Sequence, residues 1–144
     1  IGNFDGKTFT PDTMNYPLWL DYGRDNYAGV TWSNVPAADG RRLFIGWMSN
    51  WDYANEIPTV NFRSAMTVVR TLRLAHNGEH LVVASEPVKE VESLRREAVL
   101  LGDKTRTNTS DAITFENFLP NNQGAYELTF TVTPNDTDSF SFSI

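Results

Sequence analysis

Along residues 27–32 (Tyr-Ala-Gly-Val-Thr-Trp) apolar and polar side chains alternate, as they do in a strand with one covered face. Residues 41–48 follow as a second strand, and their continuous apolar run Leu43-Phe44-Ile45 suits a strand covered on both faces. Between them lies a turn at 36–40 built on Asp39-Gly40. A long strand is predicted over 65–74, with Asn77-Gly78 as a type I′ turn returning it into 81–84. Residues 1–12 read as a hairpin turned at Asp5-Gly6, with 7–10 as the returning strand and Pro11 ending it. Residues 13–17 and 50–61 are polar loops. Four strands joined by short turns form one meander sheet, the size of a propeller blade or of one sheet in a sandwich.

The pattern changes after Pro87. Residues 88–100 are charged, with apolar side chains at Val88, Val91, Leu94 and Ala98, a spacing that fits one or two amphipathic helical turns or an extended linker. Strands are predicted again at 112–118, 125–133 and 139–144, separated by turns at 121–124 and 134–136. Periodicity therefore predicts an all-β chain with a break near Pro87. The first strand has almost no residues before its turn, and Phe140, Phe142 and Ile144 form an apolar face that nothing follows; both ends are expected to be cut.

Composition narrows the function more than the fold. The 144 residues are long enough for a core, and their 40% apolar and 21% charged content is ordinarily globular. Nine Phe, five Tyr and four Trp favour strands. A formal charge of −6 argues against nucleic acid and anionic membranes as partners, since both bind basic patches. No apolar run approaches the ~20 residues that cross a bilayer, and no signal peptide is visible. The absence of cysteine removes disulfides, thiol chemistry and thiolate-bound metals. His76 and His80 flank the Asn-Gly turn and read as solvated turn residues; no cofactor or metal is expected. Glycosylation sequons occur at Asn108 and Asn135.

Candidate chemistry gathers in two stretches, Leu20-Asp21-Tyr22-Gly23-Arg24-Asp25-Asn26-Tyr27-Ala28 and Gly46-Trp47-Met48-Ser49-Asn50-Trp51-Asp52-Tyr53. Each runs from an apolar strand pattern into aromatic rings beside carboxylates and amides. Flat rings stack on the C–H faces of a sugar while polar groups take its hydroxyls. By residue type alone, core aromatics are the commoner role for residues such as Trp47 and Trp51.

The same residues carry a resemblance. Residues 21–28 resemble the D-Y-G-x-D-x-Y-A element of glycoside hydrolase family 32, which comprises invertases, inulinases and levanases. Residues 46–53 with Ile57-Pro58-Thr59 resemble its G-W-x-x-N-W-x-Y…P-T element. Arg63-Ser64-Ala65-Met66-Thr67 resembles R-x-x-M-(T/S), and Asn3-Phe4-Asp5-Gly6 resembles G-x-(F/W)-D-G. The four lie in the family's order.

The resemblance implies the end of a five-bladed β-propeller over 1–87, a linker over 88–97 and the opening strands of a β-sandwich over 98–144. It implies a secreted or periplasmic enzyme acting on levan, inulin or sucrose. The family's N-D-P-N-G, R-D-P and E-C elements, which carry its nucleophile, stabilising aspartate and acid/base, have no counterpart here, so no catalytic residue is expected in this chain. Asp21 and Arg24 match an acidic and basic pair that contacts sugar hydroxyls, with the cation keeping the carboxylate ionised. Trp51 matches the tryptophan lining the terminal fructose site, Tyr27 and Asn50 support it, Trp47 is core, and Asp52 and Glu56 are solvated. The alternative is a non-catalytic carbohydrate-binding β-module, or one that self-associates through open strand edges.

Overall fold

A hairpin opens the chain: β1 (Gly2–Phe4) and β2 (Phe9–Pro11) pair antiparallel, Gly2 opposite Pro11 and Phe4 opposite Phe9. At its turn the Asp5 carboxylate accepts the N–H groups of Thr8 at 2.7 Å and Lys7 at 2.8 Å, which hold its carboxyl below the usual range. Gly6 sits at φ +97°, where a side chain would be strained. The computed structural model describes residues 1–12, 17–102, 125–133 and 141, and its strands are all antiparallel β.

The second sheet is the meander that the alternation predicts, with β3 (Tyr27–Thr31), β4 (Arg42–Trp47), β5 (Arg70–His76) and β6 (Leu81–Pro87) in sequence order. Phe44, at the centre of β4, is buried, and its ring occupies the space a Cβ on Gly29 would need. That close approach explains a glycine in the middle of β3. Every residue of β3 is nevertheless exposed, where the alternation predicted a half-buried strand. β3 is one of the two outer strands, and among the described residues nothing packs on either of its faces closely enough to bury a side chain.

β5 starts five residues later than its apolar pattern suggested. Ser64 has φ +67°, Met66 makes only an isolated bridge to Trp47, and Thr67 is tied to Gly46 by two hydrogen bonds. The regular ladder begins only at Arg70. The Asn77-Gly78 turn is also different in kind. His76 pairs with Leu81, so four residues cross, and of Asn77 and Gly78 only Gly78 has positive φ. A type I′ turn needs both. Instead, Asn77 Oδ1 accepts the N–H groups of His80 at 2.8 Å and Glu79 at 3.1 Å. His76 is exposed and accepts the Gly78 N–H at Nδ1, and no group of three His, Asp or Glu among the described residues could hold a metal.

A 3₁₀ helix, Lys89–Leu94, takes the place of the predicted helical turns. Val88 is buried at its start and donates its N–H to Val69 O at 3.0 Å. Arg41 grips both Asp39, with contacts of 2.6 and 2.7 Å, and Glu90, with contacts of 2.8 and 3.0 Å. The guanidinium holds both carboxyls below their usual range and fastens the 36–40 turn to the helix.

Residues Ile1–Leu94 form one compact unit and Arg95–Ile144 another. Within the second, Arg95 makes a bidentate pair with Glu127 at 2.7 and 2.9 Å. No strand is assigned to 125–133 among the described residues. The strand predicted at 112–118, that at 139–144 except for residue 141, the turns at 121–124 and 134–136, and both sequons lie outside the described residues. No helix among the described residues is long and apolar enough to cross a membrane.

Candidate functional site

Tyr27, the first residue of β3, is the ladder partner of Trp47, the last of β4. The loop entering β3 and the loop leaving β4 therefore meet at one end of the sheet. The ladder slips between Tyr27 and Val30, and the chain enters the slip with Asn26 at φ +87° and Ala28 at φ +49°. Positive φ suits Asn better than most residues. Asn26 turns its side chain against Gly46, where a Cβ would collide with its Oδ1, and donates from Nδ2 to Asp21 Oδ2 at 3.3 Å.

Asp21 is only one-quarter exposed, and three donors surround it. The Gly23 N–H reaches Oδ1 at 2.8 Å, while Asn26 Nδ2 and Arg70 Nη1, the latter at 2.9 Å, reach Oδ2. The Gly23 N–H foremost, and then Arg70 and Asn26, outweigh burial and hold the carboxyl below its usual range. Asp21 is thus a fixed anion that accepts hydrogen bonds. It lines an open cavity of about 350 Å³ together with Trp19, Arg24, Asp25, Asn26 and Phe44. That volume is at the small end of ligand pockets.

Arg24 does not pair with Asp21, although the resemblance implied an acidic and basic pair there. Its guanidinium reaches Asp52 at 3.0 Å, with both side chains 68% exposed, and lies 5.4 Å from the centre of the Tyr53 ring. Asp52 is accordingly exposed but ion-paired rather than simply solvated. The Tyr53 hydroxyl donates to the Asp25 carboxylate, which raises the phenol's pKa. Asn50 locks the two loops together: its Nδ2 donates to Arg24 O at 2.9 Å and its Oδ1 accepts the Asp52 N–H at 3.0 Å.

Beside this polar cluster stands a row of rings. Trp47 is half-buried in the middle, edge-on to Tyr27 at 6.2 Å and tilted against Trp51 at 4.9 Å. Trp51 is 65% exposed, so its outer face is free of a full packing layer among the described residues. The structure thus groups all five predicted residues at one end of the sheet. Asp21 and Arg24 lie on the cavity, Asn50 at the loop junction, and Tyr27 and Trp51 in the ring row.

Sequence reasoning missed Arg70, and it gave Asp25, Asp52 and Tyr53 no place in the site although they lie in the two candidate stretches. For Arg70 a signal existed: an arginine set in the strand pattern 66–74, as Arg70 and Arg73 both are, must find a partner when a sheet forms around it. No spacing rule joins Asp25 to Tyr53 or Arg24 to Asp52, because both contacts span 28 residues and depend on the strand register.

Residues 1–85 match the family model described as the glycosyl hydrolases family 32 N-terminal domain. A levanase from Bacillus subtilis is 41% identical over 148 aligned residues that cover all of this chain and 21% of the levanase. An extracellular exo-inulinase from Aspergillus awamori is 37% identical over 100 residues, covering 65% of this chain and 18% of its own. Among solved structures, an exo-inulinase from Aspergillus awamori superposes with a TM-score of 0.51 at 38% identity, over 60% of this chain and 17% of the enzyme. A fructofuranosidase variant from Schwanniomyces occidentalis complexed with fructosylnystose superposes with a TM-score of 0.51 at 30% identity, over 71% of this chain and 19% of its own. The chain spans about a fifth of the length of these relatives. The matched residues take in both loops that meet at Tyr27 and Trp47 and make up more than half of the sequence, and on that footing the chain belongs to glycoside hydrolase family 32.

Proposed function

We propose that this chain is part of a fructan-cleaving β-fructosidase and supplies one wall of its sugar pocket. The observation that carries this reading is the Tyr27–Trp47 ladder pair, which brings the loop bearing the exposed Trp51 to the same end of the sheet as the loop whose Asp21 carboxylate lines a cavity. Trp51 offers a ring face to the C–H groups of a fructosyl unit. Asp21 accepts hydrogen bonds from its hydroxyls, and Arg24 donates at the rim. Tyr27 and Asn50 hold these groups in place.

Retaining hydrolysis of a β-fructofuranosidic bond needs two carboxyl groups roughly 5–5.5 Å apart, one to attack the anomeric carbon and one to protonate the leaving oxygen. Asp21, held ionised, does not suit the role of acid. We assign the catalytic pair to other parts of the full-length enzyme. In this reading residues 1–87 close the propeller, 88–97 link, and 98–144 begin the sandwich. The four-stranded antiparallel meander and the boundary between compact units after Leu94 support that division. The extracellular relatives favour a secreted or periplasmic location.

In the full-length protein, Trp51→Ala and Asp21→Ala are each expected to lower kcat/KM on levan, inulin and sucrose by about tenfold or more, the loss that follows when a transition-state contact is removed. Unchanged values for both would sink the pocket assignment. A non-catalytic sugar-binding module is the other reading, and fructan binding by the isolated chain at millimolar affinity or better would favour it.

A further inference from the structure

We infer that Arg70 is the positioning residue for Asp21: from β5 it fixes the carboxylate so that Asp21 presents a free acceptor lone pair to a sugar hydroxyl in the cavity. The inference rests on the pocket reading above. Two arginines could in principle serve Asp21. Arg24 is closer in sequence and also lines the cavity, but its guanidinium is engaged by Asp52 in an exposed pair. Arg70 makes the contact, with its side chain 26% exposed and that of Asp21 25%. Less solvent around the pair leaves its attraction less screened than that of Arg24 with Asp52.

Arg70 is also the better anchored of the two. Its backbone sits in the ladder between Phe44 of β4 and Pro87 of β6, whereas Arg24 stands on a loop. A cation carried on the sheet holds the carboxylate at a fixed place and angle. A carboxylate offers about four lone-pair sites. Arg70 and Asn26 occupy two on Oδ2 and the Gly23 N–H takes one on Oδ1, leaving acceptor capacity on Oδ1 for a ligand. Arg70 does not line the cavity, so its effect on substrate passes through Asp21.

A double-mutant cycle in the full-length protein tests this, with kcat and KM measured on levan and sucrose. Arg70→Met is expected to lower kcat/KM about tenfold, and Arg70→Lys, which keeps a donor and its charge, to recover to within about threefold of wild type. Adding Arg70→Met to Asp21→Asn should cost nothing beyond Asp21→Asn alone, since one contact is lost only once. Wild-type kcat/KM in Arg70→Met, or a double variant whose loss is the product of the single losses, would overturn the assignment. Should Arg70→Met not fold, the same cycle run with Arg70→Lys decides it: any loss in Arg70→Lys must vanish in the Asp21→Asn background, and full additivity overturns it. Trp51→Ala separates the two levels of argument. A loss there beside a silent Arg70→Met removes only the positioning role, whereas wild-type rates in both Trp51→Ala and Asp21→Asn remove the pocket itself and the inference with it.

Discussion

Asp21 draws its three donors from a neighbouring turn, from the residue at the mouth of β3 and from a strand 49 positions away, and its charge state records their sum. The folded pKa lies below the ordinary 3.8, so ionised Asp21 favours the native state. That contribution is complete above the ordinary value and disappears as pH falls below 3.8 through the depressed folded value. Wild type and Asp21→Asn, compared by urea denaturation across acidic pH, should therefore differ most near neutrality and converge as the solution is made more acidic. A gap that stays constant would mean that Asp21 has no linked proton. The place of Asp21 in the candidate cluster was legible from its motif, but its partner was not. The family motif implied Arg24, and the register of β3 on β4 on β5 delivered Arg70 instead.

At the scale of elements, the meander was legible because alternation and Asp- or Asn-Gly turns are local signals. The start of β5 was not, because residues 65–69 have a strand's composition, but Ala65 and Thr67 spend their hydrogen bonds on the end of β4 and its exit, and Val69 bonds to Val88. Thr67 is the centre of that junction. Its N–H donates to Gly46 O at 2.8 Å, and its hydroxyl accepts the Gly46 N–H at 3.0 Å in a buried position. Thr67→Val keeps shape and β-branching but leaves the Gly46 N–H without its acceptor, at a cost of about 1–3 kcal/mol. Thr67→Ser keeps the acceptor and should be the milder change, although it gives up a buried methyl group. Thermal or urea unfolding of the two variants distinguishes this from simple packing: if Ser is as damaging as Val, the hydroxyl is not what holds the junction. Because Gly46 backs onto Asn26, the same junction sits directly behind the candidate site.

For the chain as a whole, the balance of buried and exposed apolar surface is the deciding feature. Among the described residues only Phe44, Ala54 and Val88 are buried hydrophobics, while Val60 is 97% exposed, Phe62 69% and Val30 62%. The two outer strands of the main sheet differ in how they meet solvent. β6 ends in Glu86 and Pro87, residues that discourage pairing, whereas β3 reads Tyr-Ala-Gly-Val-Thr, without charge or proline. An uncharged outer strand with exposed apolar side chains is a template for another strand. The isolated 144-residue chain is therefore expected to self-associate, with sedimentation velocity showing species heavier than 16.3 kDa that grow with concentration. Val30→Lys places a charge on that strand and should shift the distribution toward the monomer. Association that persists unchanged in Val30→Lys moves the contact from β3 to another apolar surface, such as that around Val60 and Phe62. A wild-type chain that stays monomeric at hundreds of micromolar would mean that β3 is already satisfied within the chain, and the self-associating module would be the wrong alternative to the pocket.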